Sequence, residues 1–179
     1  MIKRKKKKSG FTLTEILVYI SVSSIIILVV ASFFLWTNRS SAKSKVLREV
    51  LNNSKIAMET MTYEIKHAES VYIPTSVFSS STGQLSLQTQ NYAQQDETTS
   101  YIDFFICEDK LCLKKENQEP MVLTSEKVKI NNLKFFQVNT STSTNSIQIS
   151  LGINYVAPSD KPEYQASINT TSTISLRQY

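Results

Sequence analysis

The chain has 179 residues and carries 20 Lys and Arg against 15 Asp and Glu, a formal net charge of +5. That length suits one domain with an appendage. One His and two Cys argue against a metal-cluster protein and a disulfide-dense scaffold, and three scattered glycines leave no Gly-rich phosphate loop.

The basic charge is not spread evenly. Lys3, Arg4, Lys5, Lys6, Lys7 and Lys8 stand at the start, and Phe11 to Trp36 follows as 26 residues whose only charge is Glu15. An apolar run of that length reads as a membrane helix, reaching roughly 39 Å at about 1.5 Å per residue. No Gly or Pro interrupts it, and the first Pro is Pro74. The basic block predicts that the N-terminus stays in the cytoplasm and that everything after Trp36 is sent outside. A single-pass protein of the cytoplasmic (inner) membrane follows, with lipid as a partner of the helix. A cleaved secretory signal competes for the same residues. Its apolar core, however, would span only about 7–15 residues, and Trp36-Thr37-Asn38-Arg39 makes a poor cleavage site.

Neither alternative accounts for Glu15. A carboxylate inside an apolar block either sits near enough to the interface to reach water or pairs with a positive group when helices pack together. The residues around it carry a resemblance. Ser9-Gly10-Phe11-Thr12-Leu13-Thr14-Glu15-Ile16-Leu17-Val18 resembles the processing motif of type IV prepilins and type II secretion pseudopilins. The resemblance implies that a membrane aspartyl peptidase, the prepilin peptidase, cuts between Gly10 and Phe11, and that Phe11 is then N-methylated. It also makes Glu15 the assembly residue, its carboxylate meeting the new amine on another subunit. In low dielectric such a pair is strong, and either charge alone is costly. Other pilin or pseudopilin subunits and an inner-membrane assembly platform are the implied partners, and no cofactor is implied. Many major pilins carry a Pro where this chain has Ser32, so the resemblance points to a minor pilin or pseudopilin.

From Lys43 the apolar residues become periodic. Leu47, Val50, Leu51, Ser54, Ala57, Met58, Met61, Ile65 and Ala68 make one stripe on a helix continuing from Phe11 to about Ser70. A coiled coil could use that stripe, but the seam lasts about three heptads, so burial against the protein's own sheet is the better reading. Val71-Tyr72-Ile73-Pro74 is the exit.

Beyond Pro74 the texture becomes short β-favouring runs. Weak strands are expected at 77–78 and 84–89 and stronger ones at 101–107 and 111–115. Further strands are expected at 128–130, 133–138, 146–156 and 164–176. Polar tracts 79–83, 90–100 and 140–145 read as loops, and Pro158 and Pro162 suit a turn. The predicted fold class is therefore α+β: a long N-terminal helix on a C-terminal antiparallel sheet or two. The chain divides into a cleaved leader (1–10), a transmembrane and filament-core helix (11–36), its amphipathic continuation (37–70) and a β domain (71–179).

If Asp109-Lys110 is a two-residue turn, Cys107 faces Cys112 at a separation a disulfide can bridge. Two free thiols, or half of a metal site, are the rival readings. Metal fares badly because only His67 could join the two Cys, and it lies on the helix. The same lone His, beside Glu64 and Glu69 on a solvent-facing turn, offers an enzyme little.

Three roles are open on this evidence: a minor pilin or pseudopilin subunit, a filament-tip recognition or DNA-uptake module, and an unprocessed membrane anchor. From Val71 onward there are eight basic against ten acidic residues, which argues against nucleic acid as a partner. Lys114-Lys115 and Lys127-Lys129 read as solvated strand faces. Removing the six leader cations leaves 14 basic against 15 acidic side chains, a net of −1. The initial +5 is then a topology signal carried by a segment that is discarded.

Overall fold

The computed structural model describes residues 10–93, 97–139 and 145–177. The leader cations Lys3–Lys8, and the parts of two polar tracts at 94–96 and 140–144, lie outside the described residues. Two compact units meet between Ser41 and Ala42.

A single helix, α1, runs Leu13–His67. It starts two residues later than Phe11, because Thr12 caps it. It also ends before Ser70, because the Glu69 N–H donates to Gln88 O at 2.9 Å, and Ser70–Val71 becomes a strand. In the second unit the buried side of α1 carries Val46, Val50, Asn53, Ser54, Ala57, Met58, Met61, Glu64 and Ile65. Leu47 and Leu51, expected on that side, are 41% and 47% exposed. The true stripe is centred about one residue away from them. Burial of Asn53 is satisfied by its Oδ1, which accepts the Ser125 N–H at 2.8 Å.

The β part forms two antiparallel sheets. The first has order β1 (Ser70–Val71), β2 (Leu85–Thr89), β3 (Ser100–Cys107), β4 (Lys110–Lys115), β5 (Met121–Val122). The second is β6 (Val128–Asn139), β7 (Asn145–Tyr155), β8 (Ser167–Ser175). The expected runs at 128–130 and 133–138 are one strand with an irregularity between Ile130 and Asn132. Residues 164–166 precede β8, and a short 3-10 turn, Pro162–Tyr164, takes up the proline-bearing connection. Along β7 Ile147, Ile149, Leu151 and Ile153 are buried while Gln148, Ser150 and Asn154 are half-buried, the period-2 pattern of a one-sided strand. One core joins Val50, Ala57, Met61 and Ile65 of α1 to Leu85, Leu87, Ile102 and Phe104 of the first sheet. The same core takes in Leu133, Phe135, Ile149 and Leu151 of the second. The α+β layout expected from the sequence is the one observed.

The tract 79–83 is not simply a loop. Gly83 N–H donates to Leu133 O at 2.8 Å, and Ser79 N–H donates to Phe135 O at 2.9 Å, so the segment lines the edge of β6. A Cβ at Gly83 would lie 2.8 Å from Leu133 O and 3.1 Å from the Phe135 ring. Leu133 O is β6 backbone and cannot move without disturbing that strand, so Gly83→Ala should destabilise the domain by about 1–3 kcal/mol. Thermal unfolding of the full chain checks this. A Tm lowered by about 2–4 °C per kcal/mol is expected for a domain of this size, and an unchanged Tm would refute it.

Candidate functional site

The start of α1 is a reciprocal cap. Thr12 is the last residue before the helix, and its hydroxyl lies 3.3 Å from the Glu15 N–H as acceptor. Glu15 Oε2 accepts in return from the Thr12 N–H at 3.0 Å and from its hydroxyl at 2.9 Å. This is the Thr-x-x-Glu capping box, which satisfies otherwise unpaired N–H groups of the first turn. The signal was present in Thr12-Leu13-Thr14-Glu15, and sequence reasoning fixed on Glu15 without its partner. Acidic charge at this end also complements the helix dipole.

Because the cap begins at Thr12, Gly10 and Phe11 precede the helix and are exposed. The peptide bond between them is therefore not tied into the helical hydrogen-bond ladder, the condition a peptidase needs to draw a bond into its cleft. The Phe11 ring meets Tyr19 edge-on with centroids 6.0 Å apart.

Beyond the cap, α1 is long and apolar enough to cross a membrane. Leu13–Trp36 alone reaches roughly 36 Å against a hydrocarbon thickness of about 30 Å. Four of its hydroxyls bond back to the helix's own carbonyls. Ser21 donates to Leu17 O, Ser24 to Ser21 O and Ser32 to Leu28 O, each at 2.8 Å, and Thr37 donates to Phe33 O at 2.9 Å. None of them presents an unpaired donor to lipid. The helix passes Ser32 without a break.

The other sequence-singled residues fall elsewhere. Cys107 and Cys112 lie on the β3–β4 hairpin, but its turn is Glu108-Asp109 and not Asp109-Lys110. Cys107 pairs with Lys110, and Cys112 pairs with Phe105. Both turn residues have positive φ, 48° and 62°, as a two-residue type I′ hairpin requires, and Asp tolerates that conformation better than Lys. The two cysteines are thus diagonal neighbours on one face, with Cα atoms 5.9 Å apart and their sulfurs paired, inside the range a disulfide spans. We expect non-reduced protein to resist alkylation at both cysteines and to gain two alkyl groups only after reduction. An identical intact mass in the two preparations would refute the bridge.

His67 is half-buried, its Nδ1 2.8 Å from Tyr63 O and its ring stacked on Tyr63. Among the described residues no three His, Cys, Asp or Glu side chains converge as a metal site. The lysines read as a solvated face are partly otherwise engaged. Lys115 turns inward, 3.9 Å from Glu64 Oε1 and 3.7 Å over the Tyr92 ring. Lys129 pairs with Asp109 at 2.6 Å. Glu64 also accepts from the Tyr92 hydroxyl at 3.0 Å, so this buried cluster ties α1 to β4 and to the segment after β2. Burial raises the Tyr92 pKa above its ordinary value, with Lys115 opposing the shift and Glu64 adding to it.

Residues 5–31 match a family model described as the prokaryotic N-terminal methylation motif. No curated protein and no solved structure shows significant similarity to the chain. The matched residues span the end of the basic block, the Gly10–Phe11 bond, the Thr12–Glu15 cap and most of the apolar stretch. The chain therefore carries the N-terminal methylation motif characteristic of prepilins and pseudopilins, on a helix of membrane-spanning length and a pilin-like α+β fold.

Proposed function

We propose that the protein is a minor type IV pilin, made as a prepilin and held in the inner membrane by α1 with its β domain outside. Prepilin peptidase removes residues 1–10, Phe11 is N-methylated, and the mature subunit enters or primes a pilus-like filament through its N-terminal helix. The observation that carries this reading is the coincidence of the matched motif with an exposed, non-helical Gly10–Phe11 bond directly before the Thr12–Glu15 cap. A subunit of this class is structural, and its work is assembly, not catalysis.

The unbroken passage through Ser32 favours a minor subunit, because a helix with no Pro in its apolar half has no built-in weak point. The same features fit a minor pseudopilin of a type II secretion system, which shares the processing step. A DNA-binding tip role gains little support, since Lys115 and Lys129 are engaged by Glu64 and Asp109.

Intact-mass measurement on chain purified from membranes tests the reading directly. The expected species begins at Phe11, carries one additional methyl group and lacks all six leader cations. A chain that retains Lys3–Lys8 in cells with an active prepilin peptidase would sink it.

A further inference from the structure

The two sheets treat their edges differently. In the first sheet the edge strands β1 and β5 are two residues each. In the second, β6 is covered by backbone bonds to Ser79, Ser81 and Gly83. The other edge, β8, is nine residues long and pairs with β7 through nine consecutive positions without a bulge. It contains no charge, no Pro and no Gly. Among the described residues no backbone bond leads from its outer side to another element. Natural proteins guard long edges with charge, Pro, bulges or cover, because an open edge recruits another strand.

The β8 sequence also says which strand. Ser167-Ile168-Asn169-Thr170-Thr171-Ser172-Thr173-Ile174-Ser175 reads nearly the same in both directions. Laid antiparallel on a second copy with Thr171 opposite Thr171, it sets Ser167 against Ser175 and Ile168 against Ile174. Asn169 then meets Thr173, and Thr170 meets Ser172. Ile168 and Ile174 stand across from Ile153 and Ile147 of β7, so the isoleucine pairs would extend the buried face. The hydroxyl and amide pairs suit cross-strand contact, and no like charges meet. A two-fold contact needs a self-complementary surface of this kind.

We propose that β8 is a homotypic docking edge, through which two copies of this chain join by antiparallel β8–β8 pairing into a six-stranded sheet. The two-fold axis is perpendicular to the sheet. Ser54 of α1 meets Thr170 at 2.8 Å, so this half of α1 lies on the sheet face and is reversed between the two copies. On the filament reading, neighbours within one filament have helices running the same way and cannot pair by this edge. The contact joins chains on oppositely directed filaments or facing membranes.

Cysteine cross-linking of the full chain in detergent micelles, under copper–phenanthroline, tests the register independently of processing or assembly. Thr171→Cys, at an exposed site, should yield a covalent homodimer in about tenfold excess over Ser175→Cys, whose two sulfurs would lie roughly 27 Å apart. Ser167→Cys mixed with Ser175→Cys should cross-link although neither does alone. Adding Asn169→Lys and Thr173→Lys to Thr171→Cys should abolish the dimer while circular dichroism and Tm stay unchanged. Thr171→Cys giving no more dimer than Ser175→Cys, or full cross-linking in the lysine-bearing variant, would overturn the proposal.

Discussion

Replacing Gly10 by Leu is expected to leave the chain uncleaved, larger by its ten-residue leader and retained in the membrane with all six leader cations. The reason lies outside the chain's own fold. A Cβ built at Gly10 meets nothing within 4 Å, so the substitution costs this molecule no packing. Any requirement for Gly there belongs to the enzyme that must bring its catalytic groups against the Gly10–Phe11 carbonyl. Because α1 begins only after Thr12, the variant should insert normally, and the loss should be confined to processing. Comparing intact mass and membrane fractionation of wild type and variant reads the result. If the two migrate alike and both keep Lys3–Lys8, the protein is a plain membrane anchor and the filament reading is lost.

Glu15→Ala should still be cleaved but should enter filaments about tenfold less or worse, since removing one partner of a pair buried in low dielectric strands the other. Two effects must be separated. Ala removes both the carboxylate proposed to meet a neighbour's Phe11 amine and the acceptor for the Thr12 N–H. Glu15→Gln separates them, because its amide oxygen can still accept from Thr12 while carrying no charge. If charge pairing drives assembly, Gln should be nearly as defective as Ala. Should Gln assemble like wild type, the residue acts through the cap. Quantifying each mature variant in sheared filaments against the membrane pool distinguishes these outcomes. Efficient assembly of both variants would remove Glu15 from the assembly mechanism.

These two residues were legible in the sequence because their information is local. A basic block, a Gly–Phe step, a carboxylate and a long apolar run lie within 36 residues, and each has a fixed physical meaning whatever the rest of the chain does. The Thr12–Glu15 cap is equally local, written as Thr-x-x-Glu, and it sets the helix start past the Gly10–Phe11 bond. Period-2 alternation likewise marked β7, because one of its faces lies against the core.

What the sequence alone determined, then, was the α+β class and the order of a basic N-terminal block, a membrane-length helix, its amphipathic continuation and a β domain. Tertiary structure decided whatever depends on a partner distant in the chain. The buried stripe of α1 shifted from Leu47 and Leu51 to include Glu64, and burying that carboxylate is tolerable because Tyr92 and Lys115 reach it from 28 and 51 positions away. The two-residue strands β1 and β5 exist through their pairing with β2 and β4, too short to show a period of their own. The cysteine hairpin took its register from which two residues could adopt positive φ, a choice invisible to side-chain alternation. Local patterns record what a residue does for its own helix or strand; only the folded chain brings together groups whose mutual attraction offsets the cost of burying them.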